Sequence, residues 1–506
     1  MPRDWRGEIL AVFIFYPQFL QALNDIIIRM NKRSGFLTLQ IMILGTVAVI
    51  LVSGFTLWAA TMLRLSLRDE LRTQAFQTAE AGIEYYRWHL AHSPQDYQDG
   101  TGHAGPYTHP YYDKDGNQIG QFILNITPPP VGSTVVTIKS TGNVVADSSI
   151  QKVLQVQLGI ASLAQYAVAA NENLRFGTGT EVFGPIMANG GIHFDGLAHN
   201  LVQSAVTTYV DPDVNKTEWG VYTALSPADP QPNTPESSRP DVFMAGRNFP
   251  VPAVDFAQVT QTLANIKALA IASGTYFGSS TVSGYDLALA TSGFYSVYKV
   301  TALAPPPNGC TNTSNQSDWG TWSIQTETLF ATGTIPQSGV MFFEDNLWVR
   351  GQINHKHATI AAARFPDNPS TRADISINSS TLYTNYDGTD SLSYIAQNNF
   401  NVGLFSEDVL RIDGAIIAQN GRVGRYFYSP PNLQSNAQKC GDTVNRQKIT
   451  LYGSIISNLR YGFGFTDSTG YQEREIIYDS TLLYNPPPDF PLAANQYVPF
   501  SWDELK

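Results

Sequence analysis

The sequence has little charge and almost no cysteine. Only 14% of its 506 residues are charged, and its two cysteines are Cys310 and Cys440. Two cysteines this far apart exclude a disulfide-stapled scaffold and a closely spaced zinc site. The net charge of −11, without a basic patch, argues against a nucleic-acid partner. A hydrophobic content of 43% excludes a long disordered chain, so we expect several folded domains.

The motifs that mark common enzyme chemistries are also missing. HExxH, GxSxG and the P-loop do not occur. Four carboxylates could in principle act as general acid and base, and four histidines could bind a metal: Asp195, Asp345, Asp408 and Asp413, and His355 and His357 with His193 or His199. Solvated corners and exposed strand positions explain them better. We therefore predict no enzyme, no catalytic residue, no metal and no cofactor.

An uncharged stretch dominates the N-terminal part. Residues 34–63 carry no charge, and about 20 such residues suffice to span a bilayer as a helix. Arg29, Lys32 and Arg33 precede the stretch, which predicts a cytoplasmic N-terminus and an extracytoplasmic remainder. Helical spacing of apolar residues then continues to the breaker Ser93-Pro94. One helix over 36–92 is predicted, half membrane span and half stalk.

Two motifs in this region resemble those of known filament proteins. The segment Lys32-Arg33-Ser34-Gly35-Phe36 looks like a prepilin peptidase site, and Ala75–Tyr86, AFQTAEAGIEYY, is similar to a stretch of PilX-type minor pilins. The resemblance implies cleavage after Gly35, methylation of Phe36, and packing of the helix against other pilins or pseudopilins. At the fifth mature position, where the family usually has Glu, this chain has Gln40. The departure resembles tip-type or initiating minor pilins, and it equally leaves room for a protein that is never polymerised.

The leader of residues 1–35 is longer than the resemblance implies. Translation from Met30 would give the short leader MNKRSG, and residues 1–29 would then not belong to the protein. A second apolar helix over 9–28 or a cleaved secretory signal are the alternatives, although polar residues and the lack of a small-x-small site argue against them.

Beyond the stalk, residues 93–160 suggest a small pilin-like head. A loop is expected over Gly100–Asp115, followed by alternating strands over Gln118–Thr127, Thr134–Ser140 and Ile150–Leu158. Asp113–Asn117, DKDGN, fits a hairpin turn better than a calcium loop.

From residue 161 an internal repeat appears. YAVAANENLRF, from Tyr166, matches PIMANGGIHF, from Pro185, and LRIDGAIIA, from Leu410, aligns with ITLYGSIIS, from Ile449. The shared unit is two short alternating strands joined at a glycine, which is typical of a β-solenoid. Asn171, Asn189 and Asn420 lie near corners, where they could form amide ladders or occupy ordinary turns.

The repeat is interrupted and then ends in a proline-rich tail. We expect an insertion over 209–337 that holds a proline-rich segment and one helix, from Asp255 to Gly274, packed on the solenoid. The tail, 481–506, cannot hold regular structure around Pro486–Pro488. A Cys310–Cys440 bridge would add ~4–5 kcal/mol on the chain-entropy model, and the sequence leaves open whether it forms.

The predicted fold is mainly β: a long N-terminal pilin-like helix, a small α+β head over 93–160, and a right-handed-type β-solenoid over 161–480. The predicted function is that of a single-pass membrane protein of the minor pilin or pseudopilin class. Its expected partners are prepilin peptidase, other pilins, the inner membrane and a surface polymer. The alternative is a membrane-tethered solenoid that binds or degrades carbohydrate.

Overall fold

A computed structural model describes residues 37–130, 133–256, 258–429, 440–483, 485–492 and 496–505. The expected leader, with Met30, Gly35 and the Phe36 that follows it, lies outside the described residues. Contacts between residues divide the chain into two compact units, each made of separate segments of the chain. The first segment of the first unit ends at Thr78.

Two α-helices are present among the described residues. Helix α1 spans Leu37–His92, and helix α2 spans Gln258–Ser273. Three short 3₁₀ turns cover Leu163–Gln165, Asp442–Val444 and Ser480–Leu483. The predicted long helix is confirmed, and it ends immediately before the Ser93-Pro94 breaker.

The remainder is strand and loop. The strands up to the middle of the chain are β1 Tyr107–Tyr112, β2 Gln118–Thr127, β3 Val136–Val144, β4 Asp147–Gly159, β5 Val168–Ala170, β6 Leu174–Phe176, β7 Thr180–Phe183, β8 Ile186–Ala188, β9 Ile192–Phe194, β10 Leu197–Ala198, β11 Val202–Ser204, β12 Thr208–Asp211, β13 Lys216–Trp219, β14 Val221–Tyr222 and β15 Arg247–Asn248. The later strands are β16 Thr275–Phe277, β17 Gly284–Leu289, β18 Phe294–Leu303, β19 Ile324–Thr334, β20 Val340–Phe343, β21 Leu347–Gln352, β22 His357–Ala362, β23 Ile375–Ser376, β24 Thr381–Leu382, β25 Ser391–Ala396, β26 Phe400–Val402, β27 Val409–Ala418, β28 Val423–Arg425, β29 Asn445–Ser457, β30 Gly470–Tyr478 and β31 Val498–Leu505.

A small sheet has the strand order β1-β2-β3-β4-β31. Two of its strands were not predicted. Strand β1 lies in the stretch expected as a loop, and β31, in the tail, pairs antiparallel with Val153–Gly159 of β4. These strands were not recognised in the sequence because each contains a proline, Pro110 or Pro499, and proline lacks a backbone N–H donor. Proline is nevertheless tolerated at sheet positions that need no donor.

The C-terminal half of α1 is buried along one side. Ala79, Ile83, Tyr86 and Leu90 are at most 1% exposed. Their spacing of three and four residues places them on one helix face. Gly82 lies between them, and a Cβ there would come within 2.4 Å of Ser140 Oγ in β3. The glycine of the Glu-Ala-Gly motif thus permits close approach of the helix to the sheet.

The rungs of the large β domain stack in parallel, as the repeat predicted, while β18 and β19 extend β17 as an antiparallel pair and β12 pairs antiparallel with β13. Val168 pairs with Ile186, and Leu174 pairs with Ile192, which is the alignment read from the sequence. Gly414 pairs with Gly453 in the second predicted alignment. Both glycines have a positive φ, of 134° and 145°, so each permits the corner between two strand segments.

The order of strands in the stack differs from their order in the chain. One continuous register runs through β16, β20, β22, β25, β27, β29, β5, β8 and β11. Ile455 of β29 pairs in parallel with Val168 of β5. The earliest rungs in the sequence therefore stack on the last ones, and the solenoid is complete only when residues near 168 and 455 have met.

Helix α2 connects the two ends of this stack. Before the helix, the backbone of Val254 exchanges two 2.8 Å hydrogen bonds with the amide of Asn189, which follows β8 near one end of the stack. After it, Gly274 lies against the carbonyl of Val340 in an opposite rung. Six strand spacings separate these rungs, about 29 Å, which a 16-residue helix of about 24 Å nearly spans. The helix returns the chain to the start of the stack.

The segment 209–337, expected as an insertion, contributes strands to the solenoid. Strand β16 pairs in parallel with β20, and β17 pairs in parallel with β21. The stack thus resumes at Thr275. These strands follow directly on a helix and a proline-rich segment, which is why their pattern was not recognised in the sequence.

We name the three sides of the solenoid by what lies over them. The covered sheet consists of the strands in the register above. The open sheet consists of the end of β21, β24, residues 409–413 of β27, residues 445–452 of β29, β30, β7 and β10. What we call the third sheet is the remaining side, which contains β23, β26 and β28 and, as a separate set of paired strands, β6, β9 and β14.

The covered sheet is apolar on both faces. Its inward residues, such as Ile360 and Ile416, belong to the main core. Its outward residues, such as Ile417 and Ile456, belong to a second buried cluster with Leu263 and Ile266 of α2 and Leu482 and Phe490 of the tail. The predicted packing of the helix on the solenoid is confirmed, and the helix lies on the side of the stack.

Asparagines form a ladder at one corner of the covered sheet. Asn189 Nδ2 donates to Asn171 Oδ1 at 2.9 Å, and Asn171 Nδ2 donates to Asn458 Oδ1 at 3.0 Å. Asn420 donates instead to the carbonyl oxygen of Gln397. The ladder interpretation is confirmed for the first two predicted residues, and Asn458 is a member that the sequence reading missed.

Cys310 and Cys440 form a disulfide. Both are buried with Leu404, Tyr426 and Tyr428, and Trp319 and Trp322 pack on them. The bond ties two loops together beside the third sheet.

Candidate functional site

The N-terminal half of α1 is an apolar cylinder. The helix includes a segment with a mean hydropathy of 2.2, long and apolar enough to cross a membrane. Large apolar side chains point outward all round it: Ile41 is 65% exposed, Ile50 69% and Leu57 70%. Exposing so much apolar area to water would be costly, whereas a bilayer or neighbouring apolar helices would bury it.

The threonine hydroxyls of this segment are satisfied within the helix. Thr46 Oγ1 donates to the carbonyl of Met42 at 2.8 Å, and Thr61 Oγ1 does the same to Leu57. Such back-bonding is how hydroxyls are tolerated in an apolar medium. Gln40 is half-buried near the helix start. Its amide is the one strongly polar side chain between Leu39 and Leu63.

The four carboxylates weighed as an acid–base set do not converge. Asp413 accepts from Arg411, Tyr386 and the backbone of Tyr383. Asp345 pairs with Arg364 and Ser280, and Asp408 accepts from the backbone of Gln447. Each carboxylate is thus held by its own neighbours.

The histidines are likewise distributed over separate contacts. His355 adopts φ of 49° in a turn, so it does not share a strand face with His357, and His357 Nδ1 contacts Ser391 Oγ. His199 Nε2 lies 2.7 Å from Glu181 Oε1. Of the strand positions expected for these two histidines, His357 occupies one in β22, whereas the left-handed conformation of His355 excludes it from the strand.

His193 has the most charged surroundings. Its ring lies between Asp195 and Asp211, with 2.8 Å from a ring nitrogen to each carboxylate. The grouping of His193, Asp211 and Asp213 has the spacing of a metal site. However, Arg175 and Arg460 both pair with Asp213, at 3.0 and 2.7 Å. Their charges compensate the carboxylate, so the cluster is an ion-pair network.

The open sheet presents polar residues where the covered sheet presents isoleucines. Thr450, Glu475 and Glu181 lie side by side on neighbouring strands and point outward. Most charges there have partners, since Lys448 lies 2.9 Å from Glu475 and Arg411 lies 2.7 Å from Asp413. Exposed rings stand among them: Phe183 is 37% exposed and Tyr386 46%.

A cleft of about 400 Å³ lies where the open sheet meets the end of the stack. We call it the arginine cleft and define it by Asp286, Glu327, Arg350, Gln325, Ser379 and Phe405 among its lining residues. Arg350 donates from Nε to Asp286 and from Nη2 to Glu327, both at 2.8 Å. Burial raises the pKa of the Asp286 carboxyl. The sequence reading missed these residues because β17 and β19 fell in the expected insertion.

Comparisons with known proteins add little. No family model and no curated protein matches the chain. Among solved structures, the chain is similar to the competence-associated pilin ComZ from Thermus thermophilus, with 12% identity and a TM-score of 0.30. The match covers 86% of this chain and 97% of that one. A likeness of this size carries no conclusion about function.

Proposed function

We propose that this protein is a pilin-like subunit of a type IV pilus or secretion filament, of the minor pilin or pseudopilin class. The observation that carries the proposal is the division of α1. Its half from Leu39 to Leu63 is charge-free with its apolar side chains exposed, and its half from Ala79 to Leu90 is buried along one face. A helix built in this way serves as a membrane anchor and filament core at one end and as a scaffold for a head at the other.

The proposed partners follow from this arrangement and from the resemblance of the leader. Prepilin peptidase would cleave after Gly35, and Phe36 would become the methylated first residue. The helix would lie in the inner membrane with its N-terminus in the cytoplasm, and then among the helices of other pilins, where Gln40 replaces the usual Glu. The Cys310–Cys440 disulfide supports an oxidising, extracytoplasmic location for the solenoid.

The size of the solenoid bears on its place in a filament. A β domain that begins at residue 161 and continues almost to the C-terminus would crowd neighbouring subunits in a shaft. A tip or low-copy position avoids this crowding. There the solenoid would contact a surface, another pilin or a surface polymer.

Mass spectrometry of the mature N-terminus tests the proposal. We expect N-methyl-Phe36 in cells that contain the peptidase, and loss of processing in a Gly35→Val variant. Gly54→Ala is the matched control, since a Cβ at Gly54 meets nothing within 4 Å. A mature N-terminus other than Phe36, or unchanged processing of Gly35→Val, would contradict the prepilin assignment.

Co-purification tests the filament role separately. Sheared filaments should contain this chain in low amount, and a Gly35→Val strain should lose it from that fraction while retaining it in the membrane. If the uncleaved variant were as abundant in the filament fraction as the wild type, its presence there would not depend on processing. That result would argue for a protein that does not polymerise.

A further inference from the structure

The arginine cleft has a rigid wall. Asn378 Nδ2 donates to the carbonyl of Trp322, and Asn378 Oδ1 accepts from the backbone of Gly403 at 2.7 Å. The backbone of Phe405 donates to Ser323 Oγ at 3.1 Å. These bonds tie three loops together, so the shape of the cleft is set before anything binds, which lowers the entropic cost of binding.

Several groups at the cleft have unused hydrogen-bonding capacity. Glu327 Oε2 is buried and accepts no hydrogen bond from an N–H or hydroxyl donor within the described part of the chain, and the carboxyl group of Asp286 lies beside Glu327. A buried acceptor without a donor costs free energy, so a ligand donor at this position would be favourable. Ser379 and Gln325 line the same cleft, and their side chains supply further donors and acceptors.

An aromatic ring stands at the same opening. Phe405 is 41% exposed, although its backbone is fixed by Ser323. Trp348 also lines the cleft, but its side chain is buried, and its Nε1 donates to the carbonyl of Trp322. An exposed ring on an anchored backbone, beside hydrogen-bonding groups, offers an apolar platform next to polar contacts.

The charge of the cleft narrows the class of ligand. Arg350 already occupies the position between Asp286 and Glu327 where a cation would bind. The two carboxylates disfavour an anionic ligand such as a phosphate or an acidic sugar. What remains is an uncharged molecule that is rich in hydroxyl groups and has an apolar face.

We propose that the arginine cleft binds a sugar unit of a neutral polysaccharide, with Phe405 stacked on the ring and Glu327 Oε2 accepting from a hydroxyl. The open sheet continues from the cleft along the stack, and Tyr386 and Phe183 are exposed on it. A linear polymer could therefore extend beyond the first unit. This proposal does not depend on assembly into a filament.

The test uses the full chain in a zwitterionic detergent, because glycoside detergents would compete. Binding is measured to immobilised dextran, amylose, xylan and galactomannan, with polygalacturonate as the acidic comparison. We expect at least one neutral polymer to bind in preference to polygalacturonate. Phe405→Ala should weaken that binding roughly tenfold, as lost stacking and apolar contact would predict.

Two further variants separate the site from general effects. Glu327→Gln keeps the shape but removes the charge, and it should weaken binding severalfold. Phe294→Ala is the matched control, because Phe294 is also an exposed phenylalanine, at 58%, and does not line the cleft. It should change binding less than twofold. Lack of binding to every neutral polymer, preference for polygalacturonate, or equal losses in Phe405→Ala and Phe294→Ala would overturn the proposal.

Discussion

The covered and open sheets close the same core but differ in what their outer faces carry. Strand β29 passes through both, with Lys448 outward on the open sheet and Ile456 outward on the covered one. Inward residues are apolar on both sides, because both close the same core. The outer face alone decides whether a side of the solenoid packs further chain or remains accessible. Stability should therefore reside mainly in the covered side, and recognition in the open side.

The largest expected effect is on the covered side. Ile456→Ala removes a side chain that is 1% exposed and lies between the covered sheet and the residues of α2 and the tail that pack on it. We expect a loss of ~2–5 kcal/mol in the free energy of unfolding, from lost burial and the cavity left behind. Urea unfolding followed by tryptophan fluorescence measures it.

Lys448→Ala on the same strand is the matched control. Its ammonium is paired with Glu475, but both side chains are about one-third exposed. Such a pair contributes ~1 kcal/mol or less. If the two variants lost equal stability, the assignment of stability to the covered side would be wrong.

The third sheet offers an intermediate case, with a buried carboxylate. Asp374 is 3% exposed, accepts from the backbone of Asn399 at 2.8 Å and from Asn401 Nδ2 at 3.2 Å, and lacks an ion-pair partner within the described residues. Burial raises the pKa of its carboxyl to about 6. The unfolded value is ~3.9, so this group stabilises the fold below pH ~4, and its contribution is lost as the pH rises through about 6.

Asp374→Asn should abolish this pH dependence. Between pH 4.5 and 7.5 we expect the wild type to lose ~2 kcal/mol relative to the variant, which is the part of the two-unit pKa shift that falls in this window. The substituted amide fits, because Asn401 Oδ1 is buried without a donor in the described structure and can accept from the introduced NH₂ group once the Asn401 amide rotates. If the difference in unfolding free energy between wild type and variant were the same at both pH values, Asp374 would not be the responsible group.

Sequence reading succeeded where the pattern is local. The uncharged run predicted α1, and the glycine-centred repeat predicted the register of β5 with β8 and of β27 with β29. It failed where the partner is distant. Strand β31 pairs with β4, and β29 pairs with β5, across most of the chain, and no local pattern encodes such pairs. The arginine cleft was missed for the same reason, since Asp286, Glu327 and Arg350 come from three separate strands.

The smallest expected effect concerns the corner of the covered sheet. Asn171→Ala removes the middle of the amide ladder, so that Asn189 loses an acceptor and Asn458 loses a donor. The ladder is partly exposed to water, which can replace these bonds, and the loss should be only ~0.5–1 kcal/mol. Asn308→Ala, at an exposed loop position, is the control. Equal stability of the two variants would show that the ladder follows from the stacking of rungs, whereas a larger loss for Asn171→Ala would show that the asparagines help to hold the register on which the covered sheet depends.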